Sequence, residues 1–397
     1  MKYNTVKLGE YLYIKGRIGW KGLKKSEYLE LSNYRIINAE TLTYDGIDWS
    51  KAGYISEERY MESPEIMLQV GDILISKDGT IGKIGYVDEL EMPSTVASGI
   101  FVIRNVQLEI VDTRFIYYFL RSPYFRAFIE MRTEGSVIPH LYQKDFVDLD
   151  FPLFELKEQK KIASILNCID NKILYNKKIN NNLEQQVQLL YENFITTIDE
   201  IPIDISKIID VRDGTHDSPK PLEVGYPLIT SKHLLPFGVD VITPNKISES
   251  DYNKVNERSK VDTNDILLSM IGTVGVVSLI IEEKINFAIK NVGLFKTSKC
   301  PQFTYYLLCY LKSKKTIQHI EKCLAGSTQK YISLTELRKM PIIIPNTVDI
   351  NKFNDLVTPL FTLIIENVKE NKVLTAIRDS LLPKLMSGEL AVSDIDF

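Results

Sequence analysis

The feature that most constrains this chain is an internal repeat. Residues 71–82 (GDILISKDGTIG) align with residues 264–275 (NDILLSMIGTVG), and seven of the twelve positions are identical at an offset of 193 residues. Two further pairs follow in the same order, because residues 115–120 match 303–308 and Gly135-Ser136 matches Gly326-Ser327. These offsets are close to half of the 397-residue chain. A solenoid repeats every ~20–50 residues, so this period predicts a duplicated domain instead.

Each copy has the composition of a mixed α/β domain. Residues 1–150 and 198–345 hold short β-branched and aromatic runs broken by glycine, and a helical pattern lies near residues 113–132. The aligned segment predicts a strand, a glycine turn and a second strand. We interpret its glycines and the acids Asp72 and Asp265 as structural. The insert differs between the copies, Lys77-Asp78 against Met270-Ile271, as two readers of different sequences would require.

A long glycine-free segment follows each copy, at residues 155–197 and 349–386. Apolar residues recur there with alternating spacings of four and three, which predicts a helix with a heptad seam. The first seam comprises Ile162, Leu166, Ile169, Ile173, Asn176, Asn180, Leu183, Val187, Leu190 and Phe194. The second seam comprises Phe353, Val357, Leu360, Ile364, Asn367, Asn371, Leu374, Arg378, Leu381 and Leu385.

Two asparagines occupy equivalent places near the middle of each seam. If the helices pack antiparallel about their centres, asparagine meets asparagine, and such buried pairs fix register at a cost in stability. A parallel pair would also match them, and ordinary core helices are the simpler alternative. Pro359 is expected to kink the second helix or mark its start, and Pro383 to kink or end it before Ser387-Gly388. We therefore expect an α+β protein, with two similar mixed α/β domains separated by two long helices in an antiparallel coiled coil.

Composition excludes several other classes of protein. The four cysteines contain no CxxC pair and the four histidines do not cluster with them, so neither a metal site nor a disulfide framework is expected. A signal-peptide pattern and a membrane-length apolar run are missing from the sequence, and a cytoplasmic location is the simplest expectation. No P-loop, dinucleotide fingerprint or amino-methyltransferase motif occurs, so we expect no catalytic site. The net charge of −4 weighs mildly against a nucleic-acid binder, although phosphate contacts depend on local patches.

Three kinds of segment carry donors suited to phosphates and base edges. Residues 14–25 hold five basic side chains among glycines, residues 213–221 and 230–233 are rich in short polar side chains, and a polar turn follows the helical region of each copy. Solvated surface loops are the alternative interpretation. The expected DNA-contacting side chains of the first copy are Lys15, Arg17, Trp20, Lys21, Lys24, Lys25, Lys77, Ser136, His140 and Tyr142. Those of the second copy are Thr215, His216, Ser218, Lys220, Lys232, His233, Ser327, Gln329, Lys330 and Tyr331.

The whole chain resembles the specificity subunits of type I restriction–modification systems. The resemblance rests on residues 154–166 (FELKEQKKIASIL), on residues 381–390 (LLPKLMSGEL) and on the duplicated Asp-Ile-Leu segment. Residues 346–352 depart from the pattern, since they lack the Glu-Gln-Lys run of the first helix start.

This resemblance implies target-recognition domains at residues 1–152 and 198–345, and spacer helices at 153–197 and 346–397. Each domain would read one half of a bipartite, asymmetric DNA site. Two modification subunits would bring S-adenosylmethionine and methylate adenines, and restriction subunits would bring ATP and Mg²⁺. The chain itself would hold no cofactor and supply sequence choice alone. The alternatives are a related system with a different partner, a coiled-coil scaffold whose end domains bind proteins, and a self-sufficient enzyme.

Overall fold

The computed structural model describes residues 2–17, 22–43, 46–78, 80–133, 140–326 and 328–392. It divides into two compact units. Unit 1 comprises Met1–Ile173 with Val373–Phe397, and unit 2 comprises Leu174–Lys372. The boundaries between the units fall inside both long helices, whereas the sequence places its divisions at the helix ends. The difference arises because each half of a long helix packs into the core of one unit.

Unit 1 contains a four-stranded antiparallel sheet in the order β2-β10-β7-β8, a three-stranded sheet β6-β3-β9 and the pairs β1-β11 and β4-β5. The elements are β1 Asn4–Lys7, β2 Leu12–Gly16, β3 Arg35–Ile37, β4 Leu42–Thr43, β5 Gly46–Ile47, β6 Gly53–Tyr54, α1 Glu57–Met61, β7 Ile73–Ser76, β8 Ile84–Tyr86, β9 Ser94–Val96, β10 Ile100–Asn105, α2 Thr113–Arg121, α3 Pro123–Thr133, α4 Gln143–Val147, β11 Asp150–Leu153 and the long helix α5 Leu156–Thr196.

Unit 2 repeats this plan with the sheets β13-β19-β16-β17 and β15-β14-β18 and the pair β12-β20. Its elements are β12 Ile203–Asp204, β13 Val211–Asp213, β14 Tyr226–Ile229, β15 Lys246–Ile247, α6 Glu249–Ser259, β16 Ile266–Ser269, β17 Val277–Leu279, β18 Ala288–Ile289, β19 Val292–Phe295, α7 Thr304–Lys312, α8 Lys314–Lys322, α9 Leu334–Arg338, β20 Pro341–Ile342 and the long helix α10 Thr347–Met386.

The two units share their strand pairing as well as their element order. In the three-stranded sheets, β3 pairs with β9 in parallel and β14 pairs with β18 in parallel, while each third strand is antiparallel. In the four-stranded sheets, β10 and β19 each lie between two antiparallel neighbours. The predicted duplication of a mixed α/β domain is therefore confirmed.

The apolar runs of the repeat are explained by a sheet that is covered on both faces. Side chains alternate along β7, so Ile73 and Ile75 enter one core cluster of unit 1 and Leu74 enters another. In unit 2, Ile266 enters one cluster and Leu267 the other. A strand buried on both sides reads as a continuous hydrophobic run, as Asp-Ile-Leu and the following residue do.

The predicted seam of the long helices is confirmed, since its members are buried or half-buried. In unit 1, Ile162 and Leu166 near the start of α5 share a core with Leu385 near the end of α10. In unit 2, Val187 near the end of α5 shares a core with Phe353 near the start of α10.

Asparagine pairs fix the direction and register of the two helices within unit 2. Asn176 Nδ2 donates to Asn371 Oδ1 at 2.9 Å, and Asn367 Nδ2 donates to Asn180 Oδ1 at 2.8 Å. A step forward along α5 is therefore a step backward along α10, so the helices are antiparallel, as expected.

The prolines of α10 do not interrupt it. The helix runs from Thr347 through Pro359 and Pro383, so the expectation that Pro359 could mark its start is wrong. Buried Val357 and Phe361 on either side hold this turn against the core of unit 2, which offsets the backbone hydrogen bond that proline forgoes. The helix ends at the predicted stop signal, because Gly388 adopts φ 72° and its N–H donates to the Leu385 carbonyl oxygen at 3.3 Å.

No described helix has both the length and the apolar character needed to cross a membrane. In the same part of the chain, no group of three or more His, Cys, Asp or Glu side chains is placed to hold a metal ion.

Candidate nucleic-acid interface

A serine side chain closes the glycine turn in both copies of the repeat. The Ser76 hydroxyl donates to the Thr80 carbonyl oxygen at 2.6 Å and accepts from the Lys83 N–H at 2.9 Å. Ser269 makes the same two bonds, to the Thr273 carbonyl oxygen at 2.5 Å and from the Val276 N–H at 2.8 Å. A buried hydroxyl that replaces two strand hydrogen bonds holds the turn open at one fixed width.

Two repeat glycines occupy backbone conformations that side chains disfavour. Gly82 has φ 84° and Gly275 has φ 91°, both in the left-handed region. Each donates its N–H to the carbonyl oxygen of the turn serine, at 3.0 Å in unit 1 and 3.1 Å in unit 2. The predicted structural role of these glycines is confirmed.

The repeat aspartates are buried in ion pairs beneath the turns. Asp72 accepts from Arg104 Nε and Nη2, both at 2.7 Å. Asp265 accepts from Lys296 Nζ at 2.5 Å and from the Asp262 N–H at 2.7 Å. Both carboxylates are almost fully buried, so their structural interpretation is confirmed. Removing one partner would leave a buried charge, which is strongly destabilising.

Two segments that the sequence singled out separately lie side by side in both units. The Leu141 N–H donates to the Lys77 carbonyl oxygen at 3.1 Å, and the Ile332 N–H donates to the Met270 carbonyl oxygen at 2.9 Å. These bonds create single antiparallel β-bridges, between Asp78 and His140 in unit 1 and between Ile271 and Tyr331 in unit 2. We call each assembly a bridged turn: residues 76–78, 80–83 and 140–142 in unit 1, and residues 269–276 with 329–332 in unit 2.

The bridged turn of unit 1 presents charged and aromatic side chains together. His140 Nδ1 forms an ion-pair contact with the Asp78 carboxylate, and the two side chains are 30% and 45% exposed. The ring of Tyr142, which is exposed, lies 4.5 Å from the His140 ring between centroids. Lys77 Nζ lies 4.7 Å from the centre of the Phe101 ring, a cation–π contact that restrains a half-buried lysine.

The bridged turn of unit 2 forms one wall of a cleft of about 310 Å³. The opposite wall comes from the end of β14 and the connection between β18 and β19. The cleft offers a lysine, hydroxyl groups and two amides, which are the groups that contact phosphates and base edges. It is lined by Thr230, Ser231, Lys232, Ile271, Gly272, Thr273, Asn291 and Gln329.

The segment after β13 is held tightly against the connection between β18 and β19. The Gly214 N–H donates to the Val292 carbonyl oxygen at 2.9 Å, and the Thr215 N–H donates to the Ile289 carbonyl oxygen at 3.0 Å. A Cβ atom on Gly214 would lie 2.3 Å from the Ile289 carbonyl oxygen. Only glycine allows this approach, which places the following polar residues beside the cleft.

His216 and Ser218 are positioned by residues that the sequence analysis did not single out. His216 Nε2 lies 3.0 Å from the buried Asp213 Oδ2, and its Nδ1 lies 2.7 Å from Asn291 Oδ1. Because a carboxylate only accepts, Nε2 carries the proton. Lys290 Nζ donates to Ser218 Oγ at 2.5 Å. Asn291 lines the cleft and also contacts His216, so it joins the two predicted segments into one surface.

Asn291 left a trace in the sequence that could have been used. Its φ is 54°, and it occupies the place that Gly99 occupies in the first copy, directly before β19 as Gly99 directly precedes β10. Asparagine is the residue that most readily replaces glycine in left-handed conformations. A glycine-to-asparagine match at a strand connection therefore signals a turn whose side chain is exposed at a fixed point.

Two predicted contact residues are structural instead. Arg17 is 2% exposed, and its Nε donates to the Val96 carbonyl oxygen at 3.1 Å, while Nη1 lies 3.4 Å from Ser63 Oγ. His233 is 4% exposed, and its Nδ1 accepts from the Thr230 N–H at 3.0 Å. Burial lowers the pKa of His233, and neighbouring Lys232 lowers it further. Neither side chain is available to DNA, because each is committed to the protein interior.

The other predicted residues are distributed over the surface. Lys15 is half-buried on β2, Thr215 is half-buried after β13, and Trp20, Lys21, Ser136 and Ser327 lie outside the described residues. The side chains that are exposed are Lys24, Lys25, Tyr142, His216, Ser218, Lys220, Lys232, Gln329, Lys330 and Tyr331. In unit 2, several of these therefore meet around the cleft and the segment after β13.

Comparison with known proteins agrees with this architecture. A family model described as the type I restriction modification DNA specificity domain matches residues 2–185 and 223–374. The chain belongs to this family, and the resemblance expected from its sequence is confirmed.

Relatives match over most of their length. The type I restriction enzyme MjaIX specificity subunit of Methanocaldococcus jannaschii is 27% identical over 86% of this chain and 82% of its own. The MjaVIII specificity subunit of the same organism is 24% identical over 100% and 94%. A crystal structure of an S subunit from M. genitalium superposes with a TM-score of 0.55 at 17% identity, covering 97% of this chain and 96% of that one, which shows a shared fold.

Proposed function

We propose that this chain is the specificity subunit of a type I restriction–modification complex and reads a bipartite, asymmetric DNA site. One observation carries the proposal: two units of the same topology hold the same serine-locked glycine turn, and the side chains displayed at the turn differ. A fixed frame with a changed insert lets each unit bind a different half-site. The antiparallel helices would fix the number of unread base pairs between the half-sites.

The chemistry would belong to partner subunits. Two modification subunits would bind S-adenosylmethionine and methylate one adenine in each half-site, which requires extrusion of the base from the duplex. Restriction subunits would bring ATP and Mg²⁺ for translocation and cleavage. This chain would direct both activities without catalysing either, which agrees with a surface that offers lysine, amide and hydroxyl donors around the cleft of unit 2.

The test is to co-express the chain with its modification subunit and map methylated adenines by single-molecule sequencing. We expect a split motif with a fixed gap that disappears when this chain is deleted. A matched variant, Lys232→Ala with Gln329→Ala, alters the cleft of unit 2 and should affect one half-site or its occupancy. Methylation that is unchanged after removal of the chain from an active complex would overturn the proposal.

A further inference from the structure

The bridged turns display different chemistry at the same place in the two units. The first bridge partner lies two residues after the turn serine: Asp78 follows Ser76, and Ile271 follows Ser269. The second partner immediately precedes the residue whose N–H closes the bridge: His140 in unit 1 and Tyr331 in unit 2. We call these two residues of each unit the bridge pair. The frame around them is the same, so the bridge pair is where the units diverge.

Both bridge pairs are accessible from solvent. In unit 1, Asp78 is 45% exposed and His140 is 30% exposed. In unit 2, Tyr331 is 43% exposed and Ile271 is half-buried at the lip of the cleft. Their backbones are tied across the bridge, so the side chains stand on a rigid base, which a sequence-reading contact needs.

The chemistry of each pair matches a different base-pair edge. A carboxylate beside an imidazole sets an acceptor next to a group able to donate, and a C·G pair shows the complementary pattern in the major groove, with the cytosine N4 amine next to guanine O6. The Ile271 side chain has no polar atom, and an apolar side chain in the major groove favours the thymine methyl group.

We propose that the bridge pair of each unit selects one base pair of its half-site, with Asp78 and His140 selecting C·G in the first and Ile271 with Tyr331 selecting T·A in the second. This rests on the proposed function and adds the residues and bases that carry the choice. Asp78 accepts from cytosine N4 while His140 donates to guanine. Ile271 packs on the thymine methyl, and the Tyr331 hydroxyl contacts the adjacent backbone or base edge.

The experiment uses the full chain with its co-purified modification subunits. The complex selects binding sites from a pool of random double-stranded oligonucleotides, and the bound fraction is sequenced. In the double variant Asp78→Ile with His140→Tyr, we expect preference for one C·G pair to fall by about tenfold or more, the size of one lost bidentate contact, with the other half-site unchanged. The reciprocal variant Ile271→Asp with Tyr331→His should change one position of the other half-site.

Conservative variants and a matched control keep the test decisive. Asp78→Asn and His140→Gln retain the size of each side chain and should relax the same position. Asp88→Ile removes another exposed ion-paired carboxylate of unit 1, in the loop after β8, and should leave the motif intact. If the bridge-pair variants select the wild-type motif with undiminished preference, the inference fails while the proposed function stands. If the wild-type complex selects no split motif, the proposed function itself fails.

Discussion

Asn180 and Asn367 meet side chain to side chain in the buried seam between α5 and α10. Asn367 Nδ2 donates to Asn180 Oδ1 at 2.8 Å, and Asn180 Nδ2 donates to the Ile364 carbonyl oxygen at 3.1 Å. Both side chains are less than 10% exposed. Their polar groups are satisfied only when the helices hold this register, so the pair favours one alignment over its alternatives.

Replacing one member of this pair should cost more than replacing both. Asn180→Leu leaves the Asn367 amide buried without its partner, and we expect a loss of about 1–3 kcal/mol in the free energy of unfolding. The double variant Asn180→Leu with Asn367→Leu should recover most of that loss, since an apolar layer replaces a polar one. Urea unfolding of the four proteins of this cycle measures the coupling. Additive losses would show that the two amides do not depend on each other.

Two glycines of unit 2 should differ in their tolerance of alanine. A Cβ on Gly214 would meet the Ile289 carbonyl oxygen at 2.3 Å, whereas a Cβ on Gly272 would meet nothing within 4 Å. Gly272→Ala should therefore cost only the strain of φ 78°, about 1–2 kcal/mol. Gly214→Ala should cost more, because backbone must move, and it should displace His216 from the cleft. Equal unfolding midpoints for the two variants would contradict this account.

Lysines around the cleft should act on affinity and leave the motif intact. Lys232 lines the cleft, and Lys290 is held near it by its bond to Ser218. If each neutralises one phosphate, each change to alanine should lower the slope of log affinity against log salt by about 1. Fluorescence anisotropy between low and moderate salt measures the slope. Lys284→Ala, an exposed lysine outside the cleft, is the control, and a slope equal to that control would exclude a phosphate contact.

Acid should weaken unit 2 through Asp210. A hydrogen bond from Arg212, with Nη2 at 2.7 Å, and a second from Lys299 at 2.8 Å lower the pKa of Asp210 from 3.8 to about 2. A lowered folded-state pKa contributes stability above the ordinary value, and this contribution is lost as pH falls from about 4 through 2. Asp210→Asn should therefore show a shallower loss of melting temperature in that window than the wild type. Asp217→Asn, an exposed carboxylate, serves as the comparison.

The sequence predicted what depends on periodicity and on local backbone rules. The heptad spacing located Asn176 and Asn180, and the glycine pattern located the turns at Gly82 and Gly275, because both follow from geometry within a few residues. The direction of the helices did not follow, since both directions match the asparagines. Only the Asn176–Asn371 and Asn180–Asn367 bonds, between residues far apart in the chain, decide it.

The interface was only partly predictable because burial is a property of the whole fold. Arg17 sits in a basic, glycine-containing segment typical of a phosphate contact, yet it is buried by Ser63 and Val96, which lie more than 40 residues away in the sequence. Asn291 lacks charged neighbours of its own kind and was overlooked, although it links His216 to the cleft. The convergence of residues 77–78 with 140–142 likewise depends on a backbone bond across 64 positions, between Leu141 and Lys77.

The division of the chain into units has a consequence for its synthesis. Unit 2 is one uninterrupted stretch, whereas unit 1 joins the first 173 residues to those from Val373 onward. A ribosome therefore releases all of unit 2 before it makes Leu382 and Leu385, which complete the core around Ile162 and Leu166. The part of the protein that is made first is finished last. A chain that stops after Lys372 would carry a whole second unit and an unfinished first one, and its uncovered core would mark it for chaperones or proteases.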